Sequence, residues 1–136
     1  MSNTTFKTDY AFGKSKEPII LEKIKKFFKD DTIVEMDNYS RYDYKGNKKI
    51  FELKSRRNTY NAFPTTLIPA DKIFDTCDKQ YFLFDFTDRL TYIEFDKEVF
   101  SKFECKPFKR NYRSDFNDKE KNYFFIPITH LKTITV

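Results

Sequence analysis

Two hydrophobic periods run along this chain, and the switch between them lays out its elements. From Lys16 to Asp31 the sequence reads KEPIILEKIKKFFKDD. Ile20, Leu21, Ile24, Phe27 and Phe28 recur three and four positions apart, with Lys23, Lys25, Lys26 and Lys29 on the opposite side. That spacing predicts an amphipathic helix, with Ser15 suited to its N-cap and Pro18 to its first turn. The period then falls to two. Thr32–Met36 (TIVEM), Arg41–Tyr44 (RYDY) and Lys49–Ser55 (KIFELKS) predict strands, the last two joined as a β-hairpin through Lys45-Gly46-Asn47. Residues 58–70, broken by Pro64 and Pro69, predict an irregular segment, and Ala70–Asp78 a short helix. Gln80–Phe86 and Leu90–Phe95 predict a second hairpin turning through Thr87-Asp88-Arg89. Residues 96–121 predict a helical turn and loops, Tyr123–Ile128 a last strand, and Thr129–Lys132 a final helical turn. Helix, three strands, short helix and further strands describe an α/β (α+β) domain with a central mixed β-sheet flanked by helices. The 136 residues fit one domain.

Composition narrows the function class. Phe contributes 17 residues and aromatics 19% of the chain, too apolar a content for a disordered segment. No stretch approaches the roughly 18 uncharged apolar residues a membrane helix needs, so no membrane partner is expected. The N-terminal residues carry no apolar core of a secretory signal. Cys77 and Cys105 form no metal-ligand spacing and His130 is the single histidine, which argues against zinc. A reduced intracellular setting is the expectation.

The net charge of +5 is concentrated in one place. Arg41, Lys45, Lys48, Lys49, Lys54, Arg56 and Arg57 stand against only Asp43 and Glu52, leaving 19 residues of each sign elsewhere. A basic segment in a neutral domain predicts a surface for a polyanion; a merely solvated hairpin is the alternative. On KIFELKS, Ile50, Glu52 and Lys54 share one face, and Phe51 and Leu53 the other. Antiparallel pairing can bring Asp43 near Glu52. Two carboxylates are the usual minimum for Mg²⁺ or Mn²⁺, and the Leu53 carbonyl can add a third oxygen. Lys54 beside them can orient an attacking water or stabilise charge on a phosphate. The helix offers Glu17 or Glu22. Glu22 sits among lysines on the solvated side, whereas Glu17 precedes Ile20, Leu21 and Ile24 on the apolar stripe, so Glu17 is preferred.

These residues resemble the PD-(D/E)xK nuclease superfamily, which includes restriction endonucleases, Holliday junction resolvases and phage and viral exonucleases. The resemblance rests on Gly13-x-x-x-Glu17 opening the helix, Asp43 in the hairpin, and Glu52-Leu53-Lys54 on the next strand. It covers about residues 13–95, leaving 96–136 as an extension, and Tyr42 replaces the proline of the family name. It implies a restriction-endonuclease-like αβββαβ core and Mg²⁺- or Mn²⁺-dependent hydrolysis of DNA phosphodiesters. Glu17, Asp43, Glu52 and Lys54 would be the catalytic residues, with metal held by Asp43, Glu52 and Leu53. Small stand-alone nucleases of phages and large DNA viruses are similar in the segment after the motif, and such enzymes often act as homodimers.

Arg41, Lys45, Lys48, Arg56, Arg57, Tyr60, Thr65 and Lys72 are the candidate nucleic-acid contacts, through phosphates and, for Tyr60, stacking or plain loop packing. No base-reading helix is evident, so a junction, nick, flap or lesion is expected as the target in place of a specific sequence. A non-catalytic nucleic-acid-binding or interaction module is the alternative, and RNA remains open beside DNA. Gly13-Lys14-Ser15 lacks the earlier glycine of a phosphate loop. His130 is read as structural, and Asp85, Asp88, Glu94 and Asp96 as the wet face of a hairpin.

Overall fold

A computed structural model describes residues 18–74, 76–108 and 121–135. Gly13, Ser15 and Glu17 lie outside the described residues. Residues 18–28 form helix α1. It stops where Lys29 turns left-handed, at φ 52°. Lys29 N–H then donates to the Lys26 carbonyl at 3.3 Å and Asp30 N–H to the Lys25 carbonyl at 3.0 Å, the paired bonds of a Schellman cap.

The strands are β1 (Val34–Glu35), β2 (Tyr44–Gly46), β3 (Lys49–Ser55), β4 (Thr65–Pro69), β5 (Lys79–Asp85), β6 (Leu90–Glu94), β7 (Glu104–Pro107), β8 (Asn122–Pro127) and β9 (Lys132–Thr133). A short helix α2 (Lys97–Ser101) and two 3-10 turns, Ala70–Lys72 and Ile128–His130, complete the described elements. One sheet has the order β1-β2-β3-β5-β6-β9 and the other β4-β8-β7. In the larger sheet β3 and β5 run parallel and the other neighbours antiparallel, so the sheet is mixed.

Alternation on the central strands makes two cores. Phe51, Tyr81, Leu83 and Leu90 face α1, packing with Ile20 and Ile24. Phe82, Phe84 and Ile93 face the smaller sheet, packing with Ile68 of β4, Ile126 of β8 and Phe100 of α2. The large sheet is therefore a middle layer between a helix and a second sheet. Ring packing supports both sides: Phe51 stacks on Tyr81 at 5.1 Å, and Phe100 meets Phe95 edge-on at 4.9 Å. Among the described residues no helix is long and apolar enough to cross a membrane.

Asp30 ties the end of α1 to the β2–β3 hairpin. Its carboxylate accepts from the Thr32 amide and hydroxyl, the Asn47 amide at 3.1 Å and the Lys49 ammonium at 3.1 Å. The hairpin closes through Asn47 and Lys48, the latter left-handed at φ 56°. Gly46 is needed for approach rather than for a left-handed turn. A Cβ there would stand 2.7 Å from Ile33 Cγ1 and 2.8 Å from Asp30 Oδ2. Ile33 is buried and Asp30 is held by its donors, so neither can give way easily. Gly46→Ala is expected to lower stability by about 2–3 kcal/mol, read as a fall in the denaturant midpoint.

Several elements differ from those the sequence predicts. Thr65–Pro69 is a strand despite Pro69 at its end and Pro64 before it: β4 is an edge strand, where a missing N–H is tolerated, and Thr66 and Ile68 bury their branched side chains. The helix expected over Ala70–Asp78 is a single 3-10 turn, because the Gln80 carboxamide takes the Lys72 carbonyl and the Phe74 amide that further helix would use. Strand TIVEM shrinks to Val34–Glu35, and RYDY is a bend until Tyr44. There Asp37 accepts from the Tyr39 amide and Ser40 from the Tyr42 amide, side-chain bonds that hold turns. Glu104–Pro107 pairs with β8 as a strand where loops were expected. The last helical turn lies at Ile128–His130, followed by β9. The link from β3 to β5, which an αβββαβ core fills with a helix, here runs through β4 and a 3-10 turn.

Candidate functional site

Parallel pairing with β5 fixes which way the motif strand faces. Glu52 lies opposite Phe82 and Lys54 opposite Phe84, so both point toward the smaller sheet, while Phe51 and Leu53 face α1. Glu52 is 7% exposed. Its Oε1 is 3.5 Å from Lys54 Nζ and 3.5 Å from Lys72 Nζ. Burial, and then the negative charge of Asp43, hold the Glu52 carboxyl above its ordinary range, while the two ammonium groups oppose the rise. A buried acid kept near a second acid by two lysines is a costly arrangement. Such strain is characteristic of functional sites.

Asp43 sits immediately before β2. Its N–H donates to the Phe51 carbonyl at 2.8 Å, and its Oδ2 accepts the Leu53 N–H at 2.7 Å. The N–H and C=O of one strand residue project to the same edge, so the Leu53 carbonyl shares the edge where Asp43 stands. Two carboxylates and a carbonyl make a hard oxygen donor set that fits Mg²⁺ or Mn²⁺ with several retained waters. Among the described residues no group of three or more His, Cys, Asp and Glu side chains converges.

The frame around Lys72 was not legible from sequence. Gln80, on the Glu52 face of β5, donates to the Lys72 carbonyl and accepts the Phe74 amide at 3.2 Å. Arg41 lies over the Phe74 ring at 4.2 Å, and Tyr42 meets the same ring at 6.1 Å. A buried amide in an otherwise apolar strand is the signal that could have marked Gln80.

No protein-family model, no curated protein and no solved structure matches this chain.

The remaining candidates separate by location. Lys72, expected only as a phosphate contact, joins Glu52 in the cluster. Arg56 donates to Thr66 Oγ1 at 3.2 Å and to the Leu67 carbonyl at 2.7 Å, tying β3 to β4. Tyr60 packs as part of the fold: its hydroxyl donates to the Ile128 carbonyl at 2.7 Å and its ring meets Phe86 at 5.8 Å and Arg89 at 4.4 Å. Lys45, Lys48 and Arg57 are exposed, and Thr65 is half-buried on β4. Glu22 is exposed and pairs with Lys25 at 3.9 Å, as its place among lysines predicts. The first described turn of α1, at Ile19, Ile20 and Lys23, shares a cavity with Asp85–Leu90. That is the end of the large sheet where β3 finishes, since Ser55 pairs with Asp85. Of the other acids, Asp96 caps α2 and Asp88 accepts the Tyr60 amide at 2.9 Å. His130 meets the Phe103 ring edge-on at 5.0 Å. Cys77 and Cys105 are free and exposed.

Proposed function

We propose that this chain is a divalent-metal-dependent phosphodiesterase acting on nucleic acid, with DNA as its first substrate and a restriction-endonuclease-like motif at its centre. The observation that carries the reading is Glu52: a buried carboxylate beside Asp43, with the Lys54 and Lys72 ammonium groups both at 3.5 Å. In this reading Asp43, Glu52 and the Leu53 carbonyl hold Mg²⁺ or Mn²⁺. The ion supplies neutralisation of phosphate charge and a more acidic water. Lys54, on the same strand face as Glu52, orients the attacking water and donates to a phosphate oxygen. Lys72 offers a second cation to the same phosphate, held in place through Gln80. Glu17, the helix acid of the resemblance, lies outside the described residues, and its part in the site is left to its own variant, Glu17→Gln.

Exposed Lys45, Lys48 and Arg57 supply attraction for the strand, which predicts a steep salt dependence. Replacing any of the three with Gln is expected to flatten the slope of log affinity against log salt by about 0.7–0.9, measured by fluorescence anisotropy in EDTA. Lys54→Met tests catalysis directly. It is expected to abolish scission in Mg²⁺, while single-strand binding, which Lys45, Lys48 and Arg57 also support, weakens without being lost. A rival reading keeps the basic hairpin and treats Glu52, Lys54 and Lys72 as a structural ion cluster in a binding module. Unchanged cleavage in Lys54→Met would remove the catalytic assignment, and salt-dependent binding without any cleavage by the wild type would favour the module.

A further inference from the structure

Alternation on the smaller sheet predicts a polar outer face, because its inner face already packs on the large sheet. The inner side is filled as expected by Ile68, Phe124 and Ile126. The outer side is mixed: Glu104 and Lys106 of β7 stand on it, opposite Phe125 and Tyr123, while β4 and β8 add apolar groups. Leu67 pairs with Phe125 and Pro69 with Tyr123 in the β4–β8 register, which puts these apolar groups together on the outward side. Phe108 lies edge-on to Tyr123 at 6.1 Å and to Phe125 at 6.4 Å. Together with Phe63 they line a cavity of about 520 Å³ whose wall also includes Lys54. Phe63 and Phe108 are 60% and 45% exposed.

Two properties of this cavity select its occupant. It is walled by aromatic rings, which bind any flat π-system. One wall carries Lys54, whose ammonium is also 3.5 Å from Glu52, and Arg56 adds a second cation to the lining. Lys106 lies over the Phe125 ring at 4.8 Å with its ammonium paired to Glu104 at 2.9 Å, so the positive charge of the site comes from the Lys54 side. A ligand must therefore present a flat ring and, next to it, an anion directed at Lys54. A nucleotide within a strand does so. The volume lies in the range of ligand pockets. In an intact duplex the base is stacked and paired, and it cannot enter a side pocket without leaving the helix.

We propose that this cavity receives one unpaired nucleobase, so that the phosphate next to it lies at Lys54 and the chain acts on single-stranded or flipped-out nucleotides in preference to intact duplex. The inference rests on the nuclease reading for what happens at that phosphate, though not for binding of the base.

The test is binding in EDTA, where scission does not contribute. A mixed-sequence DNA oligonucleotide carrying a fluorescent base analogue is titrated with wild type, Phe63→Ala, Phe108→Ala and the double variant, single-stranded and then annealed to its complement. Both rings are exposed, so the variants are expected to keep the wild-type circular dichroism and melting temperature. Each substitution should weaken single-strand binding about tenfold or more, relieve quenching of the base analogue, and leave duplex affinity unchanged. Single-strand affinity unaltered in the double variant, or an equal loss for both forms, would overturn the pocket. If the pocket fails while Glu52-dependent scission remains, the nuclease reading stands. Ring-dependent binding without scission in any metal supports the pocket and defeats the nuclease reading.

Discussion

Glu52→Gln is expected to reduce metal-dependent scission about a thousandfold or more without lowering the melting temperature. The two effects follow from one geometry. Gln keeps the shape of Glu52 but removes the negative charge that Asp43, the Leu53 carbonyl and an ion would share. Stability responds in the other sense. The wild-type carboxylate is buried beside another acid, and these two causes outweigh the attraction of Lys54 and Lys72, leaving the ionised form disfavoured. Removing that charge relieves a cost while releasing two lysines, each with 28–35% of its side-chain surface exposed, to hydrate. A residue whose loss abolishes turnover but spares the fold is retained for chemistry. The paired measurement is a cleavage time course and a thermal melt on the same preparation. Intact cleavage with a melting temperature several degrees lower would make Glu52 a structural ion-pair partner.

Asp30→Ala is expected to cost about 2–4 kcal/mol, or roughly 6–15 °C in melting temperature. The substitution leaves the Asn47 amide and the Lys49 ammonium without their carboxylate at 3.1 Å, and releases the hairpin from the end of α1. The Thr32 hydroxyl foremost, followed by the Thr32 amide, Lys49 and the Asn47 amide, holds the Asp30 carboxyl far below its ordinary value of 3.8, against the opposing effect of burial. A depressed folded-state value means the contribution is complete above the unfolded-state value and fades as acid titrates the folded one. Wild type should therefore lose this stabilisation progressively below about pH 4. Asp30→Ala, having none to lose, should show a flatter profile there. Denaturant midpoints at a series of pH values measure both, and parallel profiles for the two proteins would contradict the role given to Asp30.

The amphipathic helix, the β2–β3 and β5–β6 hairpins and the motif face were legible because they depend on short-range periodicity. Alternation in KIFELKS separates Glu52 and Lys54 from Phe51 and Leu53, and the structure keeps that division. The spacing of Ile20, Ile24, Phe27 and Phe28 likewise marks the buried side of α1. What periodicity could not carry was the long-range pairing. β4 joins β8 and not its neighbours in sequence, so Pro64 and Pro69 suggest a loop where Ile68 belongs to the second core and Thr66 is buried. The same second sheet covers the Glu52 face. Lys72 reaches Glu52 through a turn fixed by Gln80, a tertiary hydrogen bond with no periodic signature. Asp43 was found for its proximity to Glu52 in a hairpin, although the strand begins only at Tyr44. Charge was legible as a cluster but not by role: Arg56 braces β4, while Lys45, Lys48 and Arg57 are exposed.

The central claim is that Asp43 and Glu52 serve a metal-dependent cut in a nucleic-acid strand. Incubating the full chain with single-stranded and branched DNA in Mg²⁺, in Mn²⁺ and in EDTA tests it most directly, with Asp43→Asn in parallel. Scission is expected in at least one of the two metals, with none in EDTA and none above background in Asp43→Asn. Absence of scission in both metals, or cleavage by Asp43→Asn at the wild-type rate, would contradict it.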